Sequence, residues 1–149
     1  NSSVSVHYSG TLGAVFEACM KEVPAIGFSV RSTAPDCDFS PYEQTILDIA
    51  SLAMKKDFPR DVCLNVNFPI VERLRGVRVC RLARGNWVEE WIGADDADTF
   101  RLTGHFVNLE PEADDTDDWV LCHGMAAVTP LKLDMTHYPT IPLLKELES

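Results

Sequence analysis

The segment Tyr8–Val30, YSGTLGAVFEACMKEVPAIGFSV, decides the fold class. Leu12, Val15, Phe16, Cys19 and Met20 follow the i, i+3, i+4, i+7, i+8 spacing of one helix face. Lys21 then places a positive charge where the negative end of the helix dipole favours it. The spacing predicts a helix from about Thr11 to about Lys21. Pro24 prevents its continuation, and Ala25 to Val30 is a short, mostly apolar run of the kind that fills a buried parallel strand. A helix that hands the chain straight to a buried strand is the repeating unit of an α/β fold.

The same order returns downstream. Ser40-Pro41-Tyr42-Glu43 reads as a capping serine, a proline at the first helical position and a glutamate at the third, and opens a helix over about 41–56. Ile46, Ile49, Ala50 and Ala53 form its inward face, Lys55 and Lys56 sit at its C-terminal end, and Pro59 closes the segment. Val62 to Phe68 is a strand that alternates only in its second half, leaving an Asn65 and Asn67 side that needs partners. Gly76 to Leu82 alternates strictly and predicts a half-exposed antiparallel strand. Trp87, Trp91 and Phe100 to Leu109, broken by Gly85, Gly93 and Gly104, predict hairpins that extend from the body. Thr116-Asp117-Asp118-Trp119 is a helix start ended by Gly124. Met125 to Thr129 is a last strand stopped by Pro130, and Leu143 to Leu147 is a short amphipathic helix or an arm. The whole, residues 1–149, reads as one domain.

Composition narrows the function. With 149 residues, 46% of them hydrophobic, the chain is able to bury a core. Thirteen Lys and Arg against 23 Asp and Glu leave a net charge of -10, which repels a phosphate backbone or an anionic membrane surface. Binding of a nucleic-acid duplex through a broad basic face is excluded on that ground. No stretch approaches the roughly 20 apolar residues of a membrane span. The chain opens at Asn1 without a methionine and is read as processed or incomplete. Its five cysteines are scattered and odd in number, without a C-x-x-C pair, and predict reduced thiols in a cytoplasmic protein.

Chemistry concentrates at Tyr8-Ser9-Gly10-Thr11, where the first helix begins. Free helix-start amides, the dipole, the bare Gly10 backbone and the Ser9 and Thr11 hydroxyls make a candidate anion site, although the same residue types make a plain helix cap. The acidic runs Asp95-Asp96-Ala97-Asp98 and Glu110 to Asp118 do not meet a calcium loop's requirements, because an EF-hand counted from Asp114 has Trp119 at its glycine position and Met125 at its glutamate position. His7, His105, His123 and His137 are isolated in sequence, and only His7 falls beside the candidate anion site. No complete G-x-S-x-G elbow is present, so acyl transfer has no support.

Taken together, several blocks resemble the SurE survival-protein nucleotidases. Asn1 followed by Tyr8-Ser9-Gly10-Thr11-Leu12-Gly13-Ala14 is similar to that family's N-x(6)-Y-S-G-T-v-x-A segment. Val23 to Gly27, Leu64 to Pro69, Gly76 to Leu82, Thr116-Asp117 and Val128 to Asp134 follow in the family's order. Two positions depart from it: His7 stands where an apolar residue is usual, and Met125 stands where tyrosine is frequent.

The resemblance implies a Rossmann-like three-layer α/β domain, partial in this chain, with a protruding β-hairpin and a C-terminal arm used in oligomerisation. It implies a homo-dimer or tetramer and a metal-dependent phosphomonoesterase acting on nucleoside 5′- or 3′-monophosphates, with Mg²⁺ or Mn²⁺ as the divalent ion. The implied metal ligands, an Asp-Asp pair, a Ser and an Asn, all fall upstream of Asn1, so no metal-ligating or catalytic residue is expected within the chain. The residues carried over are Asn1, Ser9, Gly10 and Thr11, as phosphate-binding residues. A non-catalytic anion-binding or oligomerisation module, which keeps the cradle but lacks the metal ligands, is the alternative reading.

Overall fold

A computed structural model describes residues 1–55, 57–93 and 98–148. After a 3-10 turn at Ser3–Tyr8 come α1 (Gly10–Met20) and β1 (Ile26–Val30), the predicted helix and strand. A second 3-10 turn, Ser40–Tyr42, leads into α2 (Glu43–Ala53), which is followed by β2 (Val62–Phe68) and β3 (Val77–Val79). Then come β4 (Gly85–Val88), β5 (Trp91–Gly93), β6 (Phe100–Leu102) and β7 (His105–Asn108). The described chain closes with α3 (Asp117–Cys122), β8 (Ala126–Lys132) and short turns around α4 (Ile141–Leu144).

Four strands form one sheet in the order β1-β2-β8-β3. β1 and β2 are parallel, as are β3 and β8, while β2 and β8 run antiparallel. Alternation of side chains sorts β2 onto two faces. Leu64, Val66 and Phe68 pack with Tyr42, Ile49 and Ala53 on the α2 face, and the Tyr42 and Phe68 rings stack at 4.7 Å. Cys63 joins Leu12, Val15 and Cys19 on the α1 face, and Ala127 joins Val120 and Leu121 of α3 on the same side. The result is three layers, with helices on both faces of a buried sheet. Burying a side chain such as Leu12, fully enclosed between α1 and β1, is worth about 1.5–3 kcal/mol. Gly27 makes that approach possible, since a Cβ there would lie 2.7 Å from Leu12 Cδ2 and 3.2 Å from Val15 Cγ2.

Several expectations need correction. Ser40 does not cap α2: the segment opens as a 3-10 turn, and Asp38 instead accepts from the Ser40 amide and hydroxyl at 2.9 and 2.8 Å. The strand within Gly76–Leu82 spans only Val77–Val79 and is parallel to β8 rather than antiparallel to a neighbour. Its alternation reflects a sheet edge, with Val77 and Val79 exposed.

Pro130 does not stop β8, which runs on to Lys132. Leu64 opposite it gives its amide to Ala25 O at 3.0 Å, so the Leu64–Pro130 pair makes no ladder bond. The proline nitrogen therefore faces the side on which β3, ending opposite Val128, no longer runs, and no donor is missed there.

The hairpin expectation holds. β4 pairs with β7 and β5 with β6, both antiparallel, as two nested ladders of one hairpin. Glu89 and Gly104, with φ of 54° and 111°, bend it between the ladders, and Thr103 N bonds Glu90 O across the bend at 2.7 Å. Arg81 ties its base through Glu110 and Asp115. Asp95, Asp96 and Ala97 of the acidic run lie outside the described residues. The C-terminal segment forms brief helical turns with Leu143, Leu144 and Leu147 exposed. No helix among the described residues is long and apolar enough to cross a membrane.

Candidate anion-binding site

The parallel strands β1 and β2 direct their carboxyl ends to the same edge, the edge at which open α/β sheets bind ligands. On the α1 face of that edge the sequence places polar residues where an apolar pattern would continue: Ser29 on β1 and Asn65 and Asn67 on β2. Both asparagines are buried, and their amides form a chain. Asn67 Nδ2 donates to Asn65 Oδ1 at 3.0 Å, and Asn65 Nδ2 donates to the Asn1 carbonyl at 2.9 Å. Asn1 in turn donates from its side-chain amide to Ser29 Oγ. The Asn side of β2 thus finds its partners in the N-terminal segment.

α3 completes the arrangement. Asp117, fully buried in its first turn, accepts from the amides of Ser3, Ala83 and Asp118 at 2.6, 2.8 and 2.9 Å. Burial pushes its carboxyl above the usual carboxylate range, and the hydrogen bonds from Ser3, Ala83 and Asp118 pull the other way. Asp118 reaches Asn108 Nδ2 at 2.9 Å and Arg31 at 3.4 Å. Arg31 follows directly after β1, is pinned by its amide to Phe68 O, and also contacts Cys122 Sγ at 3.6 Å. Its guanidinium is half-exposed. These groups border an open cleft of about 390 Å³ lined by Asn1, Ser3, Arg31, Thr33, Trp87 and Asp118, among others. Trp87 enters from the hairpin and donates to Ser5 Oγ at 3.0 Å.

Of the residues singled out in sequence, Asn1 lines this cleft, and Ser9, Gly10 and Thr11 do not. Ser9 is the N-cap of α1, its hydroxyl accepting from Leu12 N at 3.0 Å. That leaves the amides of Gly10 and Thr11 without a partner inside the helix. Thr11 packs beside Gly27, and Asn1 over Ser29 two residues further along the same face of β1, so the helix start and Asn1 occupy neighbouring positions on one side of the sheet. His7 lies elsewhere, on an apolar groove with Val6, Phe16 and Leu131.

Arg31 belongs to none of the sequence motifs, and Asp117 and Asp118 read in sequence only as helix-start carboxylates. The unpaired Asn65 and Asn67 were the available signal that a polar column stands here.

The arrangement offers a half-exposed guanidinium and amide donors, which suit holding an anion. Asp117 accepts from four protein donors and Asp118 from Asn108 and Arg31, and no group of three or more His, Cys, Asp or Glu among the described residues is arranged to hold an ion.

Comparison with known proteins adds the following. The family model described as survival protein SurE matches residues 1–89. The protein named 5′-nucleotidase SurE of Bacteroides thetaiotaomicron is 47% identical over 141 residues, which cover 93% of this chain and 54% of that protein. The protein of the same name from Bacteroides fragilis is 43% identical over 151 residues, covering 99% and 59%. The crystal structure of the SurE protein from Aquifex aeolicus superimposes with a TM-score of 0.76 at 26% identity, covering all of this chain and 61% of that one. The chain therefore spans somewhat more than half the length of the curated relatives it matches.

Proposed function

The chain belongs to the SurE survival protein family, and from that premise we propose that it is part of a metal-dependent phosphomonoesterase that hydrolyses nucleoside 5′- or 3′-monophosphates. The observation that carries the reading is the placement of Asn1 and Arg31 in one cleft at the carboxyl edge of β1, with the start of α1 on the same face of the sheet beside Gly27. In this reading the phosphate oxygens take hydrogen bonds from the Gly10 and Thr11 amides, the Thr11 hydroxyl and the Asn1 side chain. Ser9 holds the helix start in place, and Arg31 pairs with the anionic charge. Such donors are fixed before the substrate arrives, so they stabilise charge on the phosphoryl oxygens without reorganising.

In this reading the catalytic ion, Mg²⁺ or Mn²⁺, is held by ligands outside these residues, upstream of Asn1. We further propose a cytoplasmic homo-dimer or tetramer. The exposed Trp91, Ile92, Phe100 and Leu102 of the hairpin and the exposed leucines of the C-terminal segment support assembly.

Phosphate release from a nucleoside monophosphate by the intact protein, with Mn²⁺ and after EDTA, tests the reading. EDTA-sensitive release with inhibition by inorganic phosphate is the expected result. Phosphate binding without release at any metal concentration would replace the enzyme by a non-catalytic anion-binding module.

A further inference from the structure

A second cleft, of about 630 Å³, is lined by the loop that leaves β1 and meets the first at Ser32, which lines both. It falls within the range of about 300–1,000 Å³ typical of small-molecule sites. Its walls are the loops that follow β1 and β2, so both clefts stand at the same carboxyl edge of the sheet. Tyr42 makes the floor rigid: its ring is buried against Phe68 and its hydroxyl donates to Pro69 O at 2.7 Å. Ile70, 67% exposed, and Val71 present apolar surface.

The two clefts differ in charge. The first contains Arg31. The second is lined by Asp36, Asp38 and Glu72, and among the described residues no Lys or Arg lines it. Asp38 is committed to Ser40, whose amide and hydroxyl hold its carboxyl below the usual range. Asp36 and Glu72 are exposed carboxylates at the rim. A phosphate in this cleft would face carboxylates with no cation to offset them, whereas hydroxyl or amino donors would find acceptors, and a flat ring would find Ile70 and Val71.

Resting on the phosphomonoesterase reading, we infer that this cleft receives the alcohol portion of the substrate. We also infer that Asp36, Glu72 and Ile70 set specificity for an uncharged leaving group rich in hydrogen-bond donors, such as a nucleoside, against one that carries a second phosphate. The phosphoryl group stays on the Asn1 and Arg31 side, and the alcohol extends past Ser32, which lines both clefts.

The test compares kcat/KM of the intact protein for a nucleoside 5′-monophosphate, a nucleoside 3′,5′-bisphosphate and p-nitrophenyl phosphate. Asp36→Lys and Glu72→Lys are expected to raise the bisphosphate-to-monophosphate ratio about fivefold or more, since like-charge contacts are what exclude the second phosphate. Ile70→Ala is expected to lower the nucleotide's kcat/KM about tenfold further than that of the aryl phosphate. Unaltered ratios in the two charge variants, with Ile70→Ala reducing both substrates equally, would overturn the inference. Thermal unfolding checks each variant, and the two rim charges carry the test if Ile70→Ala does not fold. Absence of turnover by the unmodified protein on all three substrates would instead remove the phosphomonoesterase reading beneath it.

Discussion

Ser3 and Asp117, 114 residues apart, are joined by a 2.6 Å hydrogen bond from the Ser3 amide to the buried Asp117 carboxylate. Ser3 holds a φ of 54°, a left-handed conformation that costs a non-glycine residue about 1–3 kcal/mol and persists only when surroundings enforce it. The Asp117 carboxylate is that surrounding: it also accepts from the Ser3 hydroxyl and from Ala83 and Asp118. One side chain thus ties the N-terminal segment, the base of the hairpin and the start of α3 together beneath the candidate site.

Replacing Asp117 by Asn tests that tie. Asparagine offers one acceptor oxygen and turns an N–H₂ toward the remaining donors, which leaves at least one buried amide unpaired at a cost of about 1–3 kcal/mol. Urea unfolding of the variant is expected to show a lowered midpoint, with loss of order at the N-terminal segment. An unchanged midpoint would mean that the Ser3 conformation is held by other contacts.

The architecture was legible because its signals are local. Leu12, Val15 and Cys19 mark α1 by spacing alone, and Val62 to Phe68 marks a strand whose position at the sheet centre agrees with its apolar content. What failed required knowledge of neighbours. The direction of β3 depends on where β8 lies, and Pro130 is tolerated within β8 because of what Leu64 does on the other side of the ladder. The site was half-legible for the same reason. Asn1, Ser9, Gly10 and Thr11 carry a recognisable pattern in sequence, whereas Arg31 and Asp118 gain meaning only from an ion pair spanning 87 residues.

At Gly27 the prediction concerns packing. An alanine methyl would meet Leu12 Cδ2 at 2.7 Å and Val15 Cγ2 at 3.2 Å, and both side chains are buried, so they or α1 must shift away from β1. Overpacking of this kind costs about 1–3 kcal/mol. Gly27→Ala is expected to lower thermal stability and, by moving the start of α1, to weaken inhibition by phosphate; retained stability with retained inhibition would contradict the close approach.

Thiol labelling separates the five cysteines. Burial pushes the Cys63 thiol up to about 11, with Cys19 beside it adding to the shift, and burial likewise raises Cys80. Cys122 is exposed and Cys37 half-buried. An aromatic disulfide reagent at pH 8 is expected to modify Cys122 and Cys37 in the folded protein, and Cys19, Cys63 and Cys80 only after denaturation. Rapid modification of Cys63 in the native state would show that the α1–β2 contact opens readily.

Asp134 supplies a pH-dependent contact before the C-terminal turns. Hydrogen bonds from Thr136 and Tyr138 lower its carboxyl to about 2. The folded value lies below the unfolded one of about 3.9, so its contribution is present above that value and is lost as the pH falls toward 2. Carboxyl titration by NMR should find this depressed value, and Tyr138→Phe should move it up toward the ordinary range. An ordinary value in the unmodified protein would show that the Asp134–Tyr138 contact does not form in solution.

Arg31 gives the most direct access to the candidate site. Its guanidinium is half-exposed at the cleft, and Asp118 retains Asn108 Nδ2 at 2.9 Å when Arg31 is removed, so Arg31→Ala should fold with little loss of stability. A charge-assisted hydrogen bond to an anion is worth about 1.5–3 kcal/mol, which corresponds to about a 10- to 150-fold weaker inhibition by inorganic phosphate. Arg31→Lys should recover part of that loss, because an ammonium keeps the charge but not the planar fork. Equal inhibition of the Ala variant and the unmodified protein would place the anion away from Arg31 and leave Asn1 and the start of α1 as its remaining partners.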